Sequence, residues 1–395
     1  MADQNHPNSG IRVLFRPKVD PHAPSARPEP ELSAAGFTAD LAAVRRRRAE
    51  WEATADPAGP VAAAEVLILR HREVLLSGAR PEDLLVLGTA VDEAVERFPA
   101  EPDLRLLRAR IALEVHRPDV ATEALAAVPG LVDQPPGRVL AADIAQFSGD
   151  YRAARAGYRT AAREDPRWET TARLAALAVT TGAFDEADEL YTAAEDDLAT
   201  QRRSFAWLRV QRADLAVAKG NHSRGRRLLT DAERAYPGWW YVAAHRAALE
   251  AAAGRHERAA TGYRSVLAVV DRPEFREALG AVLDAAGDAD GAAACHAAAL
   301  SAYLASVARG EVHHLHHLAA FHADIHLHPG AALAWARQDA DLHRTGTTLS
   351  LLAWCLHRAG RRDEALAVVE EAFALGAADP LLQARARAIR QGGRP

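Results

Sequence analysis

The chain has 395 residues, 49% of them hydrophobic but only 6% aromatic, with a formal net charge of −5. Acidic and basic residues are interspersed, which argues against a nucleic-acid footprint along the whole chain. No apolar run approaches the length of a membrane span, and the N-terminus lacks the apolar stretch of a secretory signal. The two cysteines, Cys295 and Cys355, both fall in helical sequence, so no disulfide framework is expected and a reducing cytoplasm is the simplest setting.

Residues 1–33 are rich in Pro, Asn, Ser and charge and cannot bury enough surface to offset their ordering entropy, so they read as a disordered tail. The short apolar run Ile11 to Phe15 is either a docking peptide or chance. Irregular helices are expected over residues 34–100, beginning near Thr38. There Arg45, Arg46, Arg47 and Arg48 cover all sides of one helical turn, as a solvated surface does and a groove-reading face does not. Pro57 and Pro60 close that helix, and a further helical pair extends to about Phe98.

From Glu101 the pattern becomes regular. Leu104 to Val115 and Val120 to Ala127 read as two helices around the turn Arg117-Pro118-Asp119. Val139 to Phe147 is followed by Gly149-Asp150-Tyr151, then Ala153 to Arg163, then Asp165-Pro166. Glycine tolerates the positive φ that ends a first helix, and Asp-Pro stops the second. The turn glycine returns at Gly182, Gly220, Gly254, Gly287 and Gly360, at spacings of 33, 38, 34, 33 and 73 residues. The long interval spans a unit whose turn, Leu327-His328-Pro329, lacks the glycine. Alanine follows most of these glycines by five positions, as Ala154, Ala187, Ala259, Ala292 and Ala365. Such a period implies an all-α solenoid of stacked helical hairpins.

Gly149, Asp150, Tyr151, Ala154, Tyr158, Ala161 and Pro166 carry a pattern that resembles the tetratricopeptide repeat family, and Gly280, Gly287, Asp288, Ala292, Ala299 and Leu300 repeat much of it. The resemblance implies a right-handed superhelical solenoid over residues 101–380, with seven to eight units, leaving 381–395 as a helix end and tail. It implies a scaffold that binds a protein or peptide partner in a concave groove, and the interspersed charge and short apolar runs leave neither nucleic acid nor membrane as an expected partner. In the family's frame Trp207, Val210, Asp214, Tyr241 and Ala244 line that groove. Trp207, Tyr241 and Trp354 are then the candidate partner-binding residues, the alternative being that Trp207 and Tyr241 pack on the adjacent hairpin. Abundant Ala, Arg and Gly with Met1 as the single methionine suits a high-GC bacterium of the actinomycete kind.

Between His313 and His328 stand seven of the chain's 17 histidines: His313, His314, His316, His317, His322, His326 and His328. The pairs His313/His317 and His322/His326 have the spacing that sets two imidazoles on one helical face. The family frame turns His314, His317 and Asp324 into the groove, with His357 in the following unit and Glu277 and Asp284 in the preceding one. That set, with His313, His322 and His326 as further candidates, could hold Zn, Cu, Fe or Mn, making a metal-binding protein or metal-dependent enzyme the alternative function. The structural reading is that His316, His322 and His326 are core histidines bonded to backbone carbonyls. A third reading is a pH-responsive cluster titrating near neutrality. No catalytic residue is assigned: Cys355 and His357, like Cys295 and His296, diverge on their helices, and no nucleophile elbow or phosphate loop is present.

Overall fold

The computed structural model describes residues 36–53, 59–198 and 201–392; the N-terminal tail and its Ile11–Phe15 run lie outside them. Among the described residues every regular element is helical. Helices α1 (Phe37–Glu52), α2 (Pro60–Leu76) and α3 (Pro81–Arg97) precede eight hairpins. These are α4 (Pro102–Glu114) with α5 (Pro118–Ala126), α6 (Pro135–Phe147) with α7 (Tyr151–Glu164), α8 (Trp168–Thr180) with α9 (Phe184–Asp196), and α10 (Arg202–Ala218) with α11 (His222–Ala235). There follow α12 (Trp240–Ala252) with α13 (His256–Leu267), α14 (Pro273–Ala286) with α15 (Ala289–Ala308), α16 (Leu315–Asp324) with α17 (Pro329–Leu342), and α18 (Gly346–Arg358) with α19 (Arg362–Ala374). The last helix, α20 (Pro380–Gln391), is a complete element of its own that covers α18 and α19 with Leu382, Ala386 and Ile389.

The hairpin turn has a simple grammar. Gly149, Gly182, Gly220, Gly254, Gly287 and Gly360 all take positive φ, between 71° and 87°. In three of these turns the next residue caps the second helix: Asp150, Asn221 and Asp288 each accept a backbone N–H three residues on. The irregular turn obeys the same grammar with other residues. Leu327 takes the left-handed conformation at φ 50°, and the Nδ1 of His328 accepts the Ala331 N–H at 3.2 Å. A left-handed leucine costs about 1–2 kcal/mol that glycine avoids. Behind the turns the repeated alanines and Tyr158, Tyr191 and Tyr263 are buried, because close helix approach needs a small residue beside each large one.

Successive turns of the superhelix touch. Tyr236 Oη donates to Asp40 Oδ2 at 2.7 Å across 196 residues, and Asp40 also accepts from Arg72. Arg272 donates to the carbonyls of Gly78 and Ala79 at 3.3 and 3.4 Å across 194 and 193 residues. Gly346 N donates to Tyr151 Oη at 2.8 Å across 195 residues, and Ala378 N donates to Thr180 O at 3.0 Å. Gly149 allows this approach, since a Cβ there would stand 2.4 Å from the Arg344 carbonyl oxygen. One superhelical turn therefore takes about 195 residues, or about six hairpins of the usual repeat length. Helix α18 is enclosed by its neighbours α16, α17, α19 and α20, so that every residue from Thr348 to His357 is buried.

Helix α15 departs from the expectation that no stretch is long and apolar enough for a membrane: by length and composition it is. In the fold it is the second helix of a hairpin, burying Ala292, Ala299, Tyr303 and Ser306.

Candidate functional site

The repeat register locates the place where the inner wall changes character. Counting ten residues back from each turn gives Val139, Ala172, Val210, Ala244 and Ser350, all buried. The same position in α14 and α16 holds Glu277 and His317, whose side chains are 23% and 30% exposed. Three residues earlier, where α10 and α12 carry Trp207 and Tyr241, α14 carries Glu274 and the N-cap of α16 is His314. Four ionisable side chains, Glu274, Glu277, His314 and His317, thus stand side by side at positions where α10 and α12 carry Trp207, Val210, Tyr241 and Ala244.

Glu274 is buried and its carboxylate is held in a fork by Arg272, with Nη2 to Oε1 at 3.0 Å and Nε to Oε2 at 3.3 Å. His314 Nε2 lies 3.6 Å from Glu274 Oε1, and His317 Nε2 lies 4.0 Å from the same oxygen. His317 Nδ1 faces Glu277 Oε2 at 4.0 Å, and Tyr303 Oη donates to that oxygen at 2.8 Å. The rings of Tyr303 and His317 stack at 5.3 Å and 18°. His314 is buried, and neither of its ring nitrogens reaches a hydrogen-bond partner. Burial alone would raise the Glu274 carboxyl, but Arg272 and the His314 contact hold it well below the usual range, so it is anionic. Burial, with the His314 ring beside it, pushes His313 down to about 3, and burial does the same to His317. His313 and His317 are therefore neutral at pH 7, so these two members of the cluster do not titrate near neutrality.

The structure divides the sequence candidates. Glu277, His314 and His317 come together as the repeat frame implied. Asp324 instead accepts the Trp354 Nε1–H at 2.9 Å, His357 lies against the Trp354 ring at 5.5 Å, and Asp284 is exposed on the end of α14. His313 precedes α16 rather than lying on it, so the His313/His317 pair shares no helical face; His313 Nε2 meets Ser306 Oγ at 3.2 Å. His322 and His326 stand with His328 around the far turn, ring centroids 5.5 and 6.2 Å from His322, because α16 ends at Asp324. His316 is in a packing position as read, but its Nδ1 partner is the carboxylate of Asp339 at 3.0 Å rather than a carbonyl. Among the described residues no three His, Cys, Asp or Glu side chains stand, as placed, close enough to hold one ion. The expected set of His314, His317, Asp324 and His357 is therefore not a shared shell.

The candidate partner-binding aromatics are corrected as well. Trp207, Tyr241 and Trp354 are 4%, 2% and 3% exposed, because they pack within the hairpins and on their neighbours rather than facing an open groove. Tyr241 packs against Trp239, Trp240 and His245. Neither thiol is activated: burial pushes Cys355 up to about 12 and raises Cys295. The residues missed by sequence reasoning are Arg272, Glu274 and Tyr303. Glu274 had a readable signal, since it precedes His314 by the same 40 residues that separate Glu277 from His317.

No family model matches the sequence, and no curated protein matches it. Among solved structures, human IFIT1 bound to PPP-AAAA matches with a TM-score of 0.50 at 16% identity, over 86% of this chain and 79% of that one. The Cut9-Hcn1 hetero-tetramer of the APC/C gives a TM-score of 0.48 at 12% identity over 88% of this chain, which spans 59% of that one. A tetratricopeptide repeat protein from Parabacteroides merdae gives 0.46 at 12% identity over 62% and 92% of the two chains. At such identities the likeness concerns the fold alone. With the hairpin grammar and the superhelical winding already described, it makes this chain an all-α helical-repeat solenoid with a tetratricopeptide-like fold.

Proposed function

We propose that the chain is a scaffold that holds a protein or peptide partner on its inner wall, where α14 and α16 open it. The observation that carries this reading is the register break: Glu277 and His317 are polar and accessible at a repeat position that is otherwise apolar or buried. A partner chain with donors or a basic side chain would find there a carboxylate and a neutral imidazole already oriented by Tyr303. The charge pattern favours a protein over a nucleic acid. Arg72, Arg110, Arg173 and Arg272 each face a carboxylate of the chain itself, namely Asp40, Glu114, Asp143 and Glu274. Phosphate binding draws on cations not already neutralised in this way.

Site-directed photo-cross-linking in cells tests the reading. Ala281 and Ala320 flank Glu277 and His317 on the partly open wall, and Ala297 lies on the outer face of α15. A cross-linker at Ala281 or Ala320 is expected to trap a discrete partner that one at Ala297 does not. Adducts formed only from Ala297 would remove the inner wall as the binding surface.

A further inference from the structure

We propose that residues 11–18 of the chain's own N-terminal tail dock in the trough between α14 and α16, seating their cations on Glu277 and Asp284. The inference rests on the reading of this wall as a binding surface and names an occupant for it. Two aligned stripes form the trough. Glu277, Ala281 and Asp284 follow one another at helical spacing along α14, and His317, Ala320 and Asp324 do so along α16. The end members of the two stripes are 40 residues apart, so they occupy equivalent places in successive hairpins. Asp284 is exposed, and no described side chain pairs with it. What this wall leaves unfilled is an acceptor set. Tyr303 already donates its hydroxyl proton to Glu277 Oε2, and one ring nitrogen of neutral His317 accepts rather than donates. Buried His314, at the closed end, adds an independent sign. Neither of its ring nitrogens reaches a hydrogen-bond partner, and its ring stands 6.0 Å from that of His317. A fold seldom leaves such a group with nothing to complete it. The occupant must therefore bring donors and positive charge, as an arginine does.

The tail supplies both. Arg12, Arg16 and Lys18 bring three positive charges, and residues 11–18 contain no acid. Ile11, Val13, Leu14 and Phe15 offer apolar surface to the partly open alanines Ala281 and Ala320. The chain is also long enough to reach. Phe37 N donates to Pro237 O at 3.2 Å, and a Cβ on Gly36 would stand 2.9 Å from the Pro237 ring. The tail therefore leaves the solenoid just before α12, the first helix of the hairpin that precedes α14. At most two helix packings separate α12 from α14, or about 20 Å. Residues 19–35 extend to roughly 55 Å, which spans that gap with slack. A tether of this kind gives the segment an effective concentration of about a millimolar, so a weak contact is enough to fill the trough. A partner in trans must then displace it.

The test places a photo-cross-linker at Ala281 in the purified full chain and maps the adducts by mass spectrometry. A link from Ala281 to residues 11–18 is expected, and mixing light and heavy isotope-labelled chains should show both ends in one molecule. Arg12→Glu, Arg16→Glu and Lys18→Glu together change no residue of the solenoid. They should cut the link about tenfold, the combined worth of three exposed charge contacts. Adding Glu277→Lys and Asp284→Lys to that triple variant should restore it. Circular dichroism checks the fold, and Asp284→Lys alone decides if Glu277→Lys unfolds the chain. In cells, the triple variant should trap more external partner from Ala281 than the unchanged chain does. An absent link, a link between two molecules, an equally strong link from Ala297, or persistence in the triple variant would each overturn the tail contact. No internal link, with a partner trapped equally by both chains, would sink the tail contact and leave the scaffold reading in place. An internal link with no partner trapped by either chain would keep the tail contact and remove the external partner.

Discussion

Replacing Asp40 with alanine should unfasten the first superhelical turn from the second. Asp40 is 1% exposed and accepts Tyr236 Oη at 2.7 Å and Arg72 Nη2 at 3.1 Å. Removing the carboxylate strips a buried guanidinium of its counter-charge, which typically costs about 3–5 kcal/mol. Tyr236→Phe deletes one hydrogen bond to a charged group and should cost about 1.5–3 kcal/mol. Since the two residues touch each other, the double variant should fall short of the sum by about 1 kcal/mol or more. Denaturant titration gives the energies, and hydrogen exchange gives the location. Protection should fall in α1, α2 and the Tyr236–Trp240 segment, and persist in α18 and α20. A cost below about 1 kcal/mol for Asp40→Ala, or exchange loosened evenly along the chain, would refute the idea that this contact fastens one turn to the next.

Leu327→Gly should be neutral or stabilising by up to about 1 kcal/mol in thermal denaturation, because the left-handed strain it relieves offsets the added freedom of the unfolded chain. Leu327 is exposed, so little burial is lost. Glu114 gives a pH dependence: burial would raise its carboxyl, but His71 and Arg110 overcome this and hold it below its usual 4.5. Its folded value lies below its unfolded one, so its contribution is complete above about pH 4.5 and is lost as pH falls through the folded value. Glu114→Gln should flatten that part of the stability profile. Trp354→Phe keeps most of the buried ring and loses the bond to Asp324, so stability should fall by about 1 kcal/mol. Its effect on inner-wall cross-linking should be nil, since Trp354 is a packing residue.

The hairpins were legible because their signals are local. Gly149 or Gly287 needs only its own turn to demand positive φ, and Ala154 or Ala292 needs only its neighbouring helix. The winding was not legible in the same way. Its pitch is the sum of small rotations between successive hairpins, and no residue carries that sum. A residue such as Trp207 therefore reads as an open groove position until the neighbouring hairpins are packed against it. The histidine segment was partly legible for the same reason. Register put His314 and His317 on the inner wall beside Glu277, but the end of α16 at Asp324, and the diversion of Asp324 to Trp354, depend on packing that periodicity does not encode.

The contact between successive superhelical turns has a consequence for how the chain is made. Solenoids of this kind can usually settle hairpin by hairpin as each leaves the ribosome, because every unit answers only to its neighbours. Here Asp40 must wait for Tyr236, 196 residues later. At ribosomal speeds of about 5–20 residues per second, that delay is roughly 10–40 s. Throughout it the Asp40–Arg72 pair and the first stretch of inner wall lack their cover. Nascent chains stalled before Tyr236 should therefore be far more protease-sensitive in α1 and α2 than chains stalled after α13.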